Sequence, residues 1–175
     1  MPKILPELRD RFIAAAKKRL LEDEGHDVSI RQIARDCGTA VGTVYNYFSS
    51  KEALLAAVMM EDWMDCCRRM RQGAAEADRP LEALRAETAA LRRFTARYAP
   101  LWRNYAEAKG SIDTLSFRHR QIIAELIKPV EETLRRFGVE GDAHLPEVLA
   151  ELVLFASRAD DGFDRIQGAL EKILA

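Results

Sequence analysis

Thr43, Tyr45, Asn46 and Tyr47 bring four polar-tipped side chains into five residues, and Lys51 follows closely. Hydroxyls and an amide of this kind can donate to phosphate oxygens or reach a base edge, and a lysine supplies the countercharge. Ala40 and Val41, just before them, can touch thymine methyl groups. Gly42 costs roughly 1 kcal/mol relative to alanine in a helix interior. Close approach of another backbone, such as a DNA strand, is a physical reason to carry it. Other chemistry is sparse. The chain has three histidines and three cysteines. None has the spacing of a zinc site, and there is no Gly-rich phosphate loop, nucleophile motif or carboxylate pair. The expectation is therefore no enzyme, no metal and no cofactor. Cys66 and Cys67, adjacent on a helix, point about 100° apart. A thiol sensor for soft metals or oxidants is the alternative to a plain core role there.

These side chains need helices to hold them. Ser29 with Gln32 forms a capping box. Ile30, Ile33, Ala34 and Cys37 then recur on one apolar helix face. Gly38 falls where a left-handed residue closes the helix. Thr39 can cap a second, short helix over about 39–47, anchored by Val44 and Phe48. Ser49 with Glu52 makes another capping box for a long helix. Lys51 in its first turn opposes the helix dipole, which becomes sensible if an external phosphate binds there. Helix, glycine turn and second helix with outward hydrogen-bonding residues form a helix-turn-helix.

G-T-A-V-G-T-V-Y-N-Y-F-S-S-K-E-A-L-L, preceded by S-I-R-Q-I-A-R-D-C-G, resembles the signature of the tetracycline-repressor (TetR) family of bacterial regulators. With the helix before it, the likeness covers about a third of the chain. It implies an all-α protein with a three-helix DNA-binding unit over residues 1–50. A helical bundle for ligand binding and dimerisation follows over 51–175, about nine helices in all. The DNA-binding residues it marks are Ser29, Arg31, Thr39, Ala40, Val41, Gly42, Thr43, Tyr45, Asn46, Tyr47 and Lys51. Thr39, Ala40, Val41, Cys37 and His26 depart from the usual family residues, which bears on the operator read. With no arginine in the recognition helix, thymine methyls and DNA shape are the expected readout.

Composition agrees with a helical protein: 175 residues, 48% apolar, with only nine glycines and six prolines. A net charge of −1 argues against a generic nucleic-acid coat. Residues 1–51 hold nine Lys/Arg against seven Asp/Glu, a balance of +2. The cysteines form no disulfide framework, the N-terminus has no apolar signal core, and no apolar run approaches the roughly 18 residues of a membrane span. A cytoplasmic protein, away from membranes, is expected.

Pro6 suits a helix start, with that helix running to about Glu24 and closed by Gly25-His26-Asp27. Lys17, Lys18 and Arg19 read as a solvated face, with phosphate contact as the alternative. The long helix from Ser49 runs to about Gln72, and Gly73–Asp78 reads as a break. Pro80 opens the next helix and Pro100 restarts it, ending at Gly110. A further helix to Phe137 contains Pro129, which should kink it. Two more helices follow. Trp63, Tyr98, Trp102, Tyr105, Phe117 and His119 are candidates to line a pocket for a small-molecule effector of unknown identity, with core packing as the alternative. Val148, Leu152, Phe155, Phe163, Ile166 and Leu170 form an apolar stripe on the last two helices. The resemblance implies that it pairs two copies through a four-helix bundle; a core role within one chain is the alternative.

Together these readings describe a homodimeric, sequence-specific transcriptional regulator. Double-stranded DNA with a palindromic operator is its partner, and a small-molecule effector releases a repressor from it. A ligand-binding protein or helical adaptor with a vestigial helix-turn-helix is the alternative.

Overall fold

The computed structural model describes residues 5–22, 28–109 and 112–175, leaving aside the side chains of 21–22, 100–109 and 112–119. Its elements are α1 (Pro6–Glu22), α2 (Ile30–Asp36), α3 (Val41–Tyr45), α4 (Lys51–Glu76), α5 (Pro80–Lys109), α6 (Ile112–Phe137), α7 (Leu145–Ala156) and α8 (Gly162–Ile173). No strand occurs among the described residues. The all-α expectation holds. The chain divides into two compact units, residues 1–64 and 65–175, and the division falls inside α4. Among the described residues no helix is long and apolar enough to cross a membrane.

In the first unit the helical spacing of α1 puts Phe12, Ile13, Ala16 and Leu20 into the core. Ile33 and Ala34 of α2, Val44 of α3, and Leu54 and Val58 of α4 are likewise nearly inaccessible to solvent. Burying each large aliphatic or aromatic side chain is worth about 1.5–3 kcal/mol, so a unit this small owes its stability to this one cluster. The basic residues of α1 are not a free face. Lys17 pairs with Asp62 of α4, which is buried, and Arg19 grips both oxygens of Asp36 at 2.8 and 2.9 Å. The α1 close expected at Gly25-His26-Asp27 lies outside the described residues.

In the second unit one expected break is shortened to residues 77–79, between α4 and α5, and the other is absent. α4 continues through Gly73 to Glu76. A Cβ at Gly73 would lie 2.8 Å from the Cβ of Ala86, so this glycine lets α4 and α5 approach closely rather than ending a helix. α5 runs through Pro100 as one helix of 30 residues. A proline forfeits one backbone bond and strains a helix, but need not stop a long one. Among the described residues that fusion turns the expected nine helices into eight. α6 carries Pro129 inside it, as expected. It ends at Gly138, which adopts φ +63° and lets Val139 N–H reach Leu134 O at 3.0 Å.

The apolar stripe expected on the last two helices divides. Phe163, Ile166 and Leu170 are buried in the chain's own core, Phe163 at 7% exposure beneath the Arg85 guanidinium, 4.4 Å from its ring centre. These three therefore take the core role rather than an exposed one. On α7, Val148 and Phe155 stay open at 49% and 54% exposure, with Leu152 half-buried between them at i+4. The opposite face of α7, with Leu149, Val153 and Leu154, is buried. The α7–α8 corner is tight. Any Cβ at Gly162 would collide with the carbonyl oxygen of Ala156. Thr95 of α5 donates to Ser157 O at 2.9 Å, and Arg92 to Asp160 O at 3.1 Å, tying the corner to α5.

Candidate nucleic-acid interface

The outward side chains depend on a rigid turn between α2 and α3. Gly38 adopts φ +65°, which a residue with a Cβ rarely does. From there Thr39 N–H reaches Ala34 O at 2.8 Å and Gly38 N–H reaches Arg35 O at 3.0 Å. This pair of bonds satisfies the last carbonyls of α2. Arg11 of α1 donates to Cys37 O at 2.9 Å, fixing the same end from outside. Asp36 beside it has its carboxyl held below the usual carboxylate range by its hydrogen bond to Arg19.

Three expected caps are corrected. Ser29 has the extended backbone of a cap (φ −102°, ψ 131°), but its side chain makes no capping bond. Gln32 does not reach back, and its Oε1 is buried without a partner among the described residues. Thr39 donates its hydroxyl to Ala34 O at 3.4 Å, and Ala40 stands at the cap of α3 instead. α3 is accordingly shorter than expected. Ser50, not Ser49, caps α4, its Oγ accepting Ala53 N–H at 3.1 Å. Lys51 is then the first residue of α4.

On α3 only Val44 is buried. Val41, Gly42, Tyr45 and Asn46 face solvent, Tyr45 at 50% exposure, and Thr43 is half-buried. A Cβ placed on Gly42 meets nothing within 4 Å, so no neighbour in this chain explains the glycine. Tyr47 is half-buried. Its ring stands edge-on to Phe12, with centroids 5.5 Å apart, and its hydroxyl oxygen accepts Leu5 N–H at 2.8 Å. The hydroxyl hydrogen remains to donate elsewhere.

An open depression of about 470 Å³ lies on this face, lined by Val28, Ser29, Ile30, Arg31, Val41, Tyr45 and Lys51. It gathers five of the residues marked in the sequence: Ser29, Arg31, Val41, Tyr45 and Lys51. The first residues of α2, α3 and α4 all border it. Helix N-termini present unpaired N–H groups and partial positive charge. With Arg31 and Lys51 added, the site suits an anion, and phosphate above all.

Of the ligand candidates, Tyr98 is wholly buried on α5, its ring centroid 4.9 Å from that of Phe94, and Trp63 is half-buried on α4. The side chains of Trp102, Tyr105, Phe117 and His119 lie outside the described residues. Burial pushes the thiol of Cys66 up to about 12, and burial also raises Cys67 and Cys37. The thiolate is the reactive form of cysteine, so these three are poor sensors near neutral pH. Sequence reasoning passed over Glu87, buried on α5. Its place between Leu84 and Leu91, at helical spacing on an apolar face, was the available signal.

Residues 12–58 match the family described as bacterial regulatory proteins of the tetR family. Over 64 residues the chain is 34% identical to the HTH-type transcriptional regulator UidR of Escherichia coli K12, a match covering 37% of this chain and 33% of UidR. The chain thus spans a third of the length of that curated relative. Two solved structures share its fold. Salmonella enterica GusR has a TM-score of 0.67 at 21% identity, covering 99% of this chain and 98% of GusR. A TetR-family transcriptional regulator from Rhodococcus sp. has a TM-score of 0.66 at 17% identity, covering 98% and 100%.

Proposed function

We propose a homodimeric, sequence-specific repressor that a small-molecule effector releases from its operator, a reading supported by the match of residues 12–58 to the tetR family and by a fold shared with a TetR-family structure. The observation that carries this reading is the depression bordered by Arg31, Val41, Tyr45 and Lys51. There cations, an aromatic hydroxyl and helix N-termini converge on one exposed face. Thr43, Tyr45, Tyr47 and Lys51 hold phosphates and set register. Ala40, Val41 and Asn46 meet base edges. Gly42 lets a DNA strand come close to α3.

A dimer is supported by α7, which is apolar on both sides. One side is buried in the chain and the other, Val148, Leu152 and Phe155, is exposed. An exposed apolar stripe of this kind calls for cover, and a second copy provides it. Two helix-turn-helix units then enter successive major grooves, with half-sites about 34–36 Å apart. The effector binds in the C-terminal bundle, where Tyr98 is buried, and acts only through its different affinity for operator-fitting and non-fitting states. α4, which belongs to both units, is the covalent link between them.

The test is selection from a pool of random duplex DNA at physiological salt, with sequencing of the retained fraction. A two-fold symmetric enriched site is expected. No enriched sequence from a folded dimer would turn the reading toward a ligand-binding or adaptor protein.

A further inference from the structure

Glu87 is 1% exposed, the most deeply buried charged side chain among the described residues. Leu84 and Leu91, a turn to either side on α5, are fully buried. Thr133 of α6 donates to Glu87 Oε1 at 2.5 Å. Oε2 is buried and has no hydrogen-bond partner among the described residues. The contrast with Asp62 is direct, because that buried carboxylate has Lys17. An acceptor buried without a donor is costly, and native proteins hold few of them without a use. The charge acting on Glu87 from α6 is Glu132, which adds to the difficulty. Arg85, two residues earlier on the same helix and so on another face, is committed to Asp164, Gln167 and the face of Phe163.

We propose that Glu87 is the recognition group for an effector bearing a protonated amine on an apolar body. This rests on the reading of the C-terminal bundle as the sensing unit. The orphaned Oε2 accepts the ammonium N–H, Thr133 holds the other oxygen in place, and the surrounding leucines favour the apolar body. A neutral donor would fill the hydrogen bond but leave the charge uncompensated, and an anion would be repelled. Burial, opposed by the Thr133 hydrogen bond and reinforced by Glu132, raises the carboxyl to about 7. Near neutral pH the cation therefore displaces a proton, which leaves to solvent.

The test uses the full chain and three probes of equal length, hexylammonium, 1-hexanol and hexanoate, titrated calorimetrically at about pH 8. Hexylammonium should bind about tenfold tighter than either isostere, as a charge-assisted hydrogen bond requires. Glu87→Gln should abolish that preference. A second measurement needs no variant: hexylammonium affinity for the unaltered chain should rise about tenfold from pH 6 to pH 8 as the carboxyl ionises. Absent binding of hexylammonium, equal binding of hexanoate, or a preference that survives Glu87→Gln would overturn the proposal. The duplex selection is run on the same preparation. An enriched operator without an ammonium preference defeats this proposal alone, whereas an ammonium preference without an operator defeats the regulator reading and leaves the carboxylate site standing.

Discussion

In the first unit the buried carboxylate, Asp62, meets a lysine of α1, and the side chains with spare hydrogen-bonding capacity, Tyr45 and Asn46, face solvent. In the second unit the buried carboxylate, Glu87, meets only a hydroxyl, and one of its oxygens is left over inside. The difference separates two kinds of readiness. A surface meant for a polyanion can wait in water at little cost, because water satisfies its donors. An acceptor inside a helical bundle waits at a cost in stability until a donor arrives. Changes on the outer face of the first unit should therefore alter duplex binding with little effect on folding, whereas changes inside the second unit should alter folding.

The largest expected effect is at Phe163. Phe163→Ala should remove about 4 kcal/mol of stability, read from denaturant unfolding, because it opens a cavity under Arg85. Phe155→Glu, on the exposed face of α7, should leave the monomer's stability within about 0.5 kcal/mol but yield monomers in sedimentation that hold a palindrome poorly. A stable Phe155→Glu dimer would place the interface elsewhere. Next is Glu87. Its carboxyl titrates at about 7 in the fold against an ordinary value of 4.5, so the folded state holds the proton more tightly. Its contribution is full below about pH 4.5, declines as the pH rises toward 7, and levels off above, about 3 kcal/mol in all. Glu87→Gln should flatten that decline in unfolding curves taken across the range; an unchanged slope would assign it to other groups.

Smaller effects sharpen the outer side. Gly42→Ala should raise stability by about 1 kcal/mol through helix propensity, since nothing in the chain crowds a Cβ there, yet weaken operator binding. Tighter DNA binding by this variant would remove the close-approach argument. Lys51→Ala should weaken binding to all duplexes alike and lower the slope of log affinity against log salt by about 1. A change in preferred sequence would instead make Lys51 a base reader.

What the residues revealed in advance followed the range of the forces involved. The Gly38 turn and the Pro6 start were legible because a few neighbouring atoms decide them. The cap of α4 was misplaced by one residue because Ser49 and Ser50 offer the same chemistry, and only the backbone path selects between them. The break after α4 was placed to start at Gly73, four residues early, and Pro100 was misread as a break, since each is a local signal overruled by packing or by helix length. The stripes of α7 and α8 have the same spacing, and only the tertiary arrangement shows that Phe163 turns inward while Phe155 does not. The basic run of α1 concealed its pairing with Asp36 and Asp62, partners distant in sequence. Glu87 was hidden because a charged residue on an apolar stripe resembles an ordinary interruption until its burial is known.

The corner at Gly162 also has a genetic consequence. Any missense change of a glycine codon adds at least one carbon, and here that carbon would strike the Ala156 carbonyl oxygen. Codon 162 is thus closed to missense drift, although its residue contributes no side chain to any interaction. Random mutagenesis under selection for a folded product should return that position unchanged, while the neighbouring codons for Asp160 and Asp161, both exposed and held only by surface ion pairs, tolerate more change.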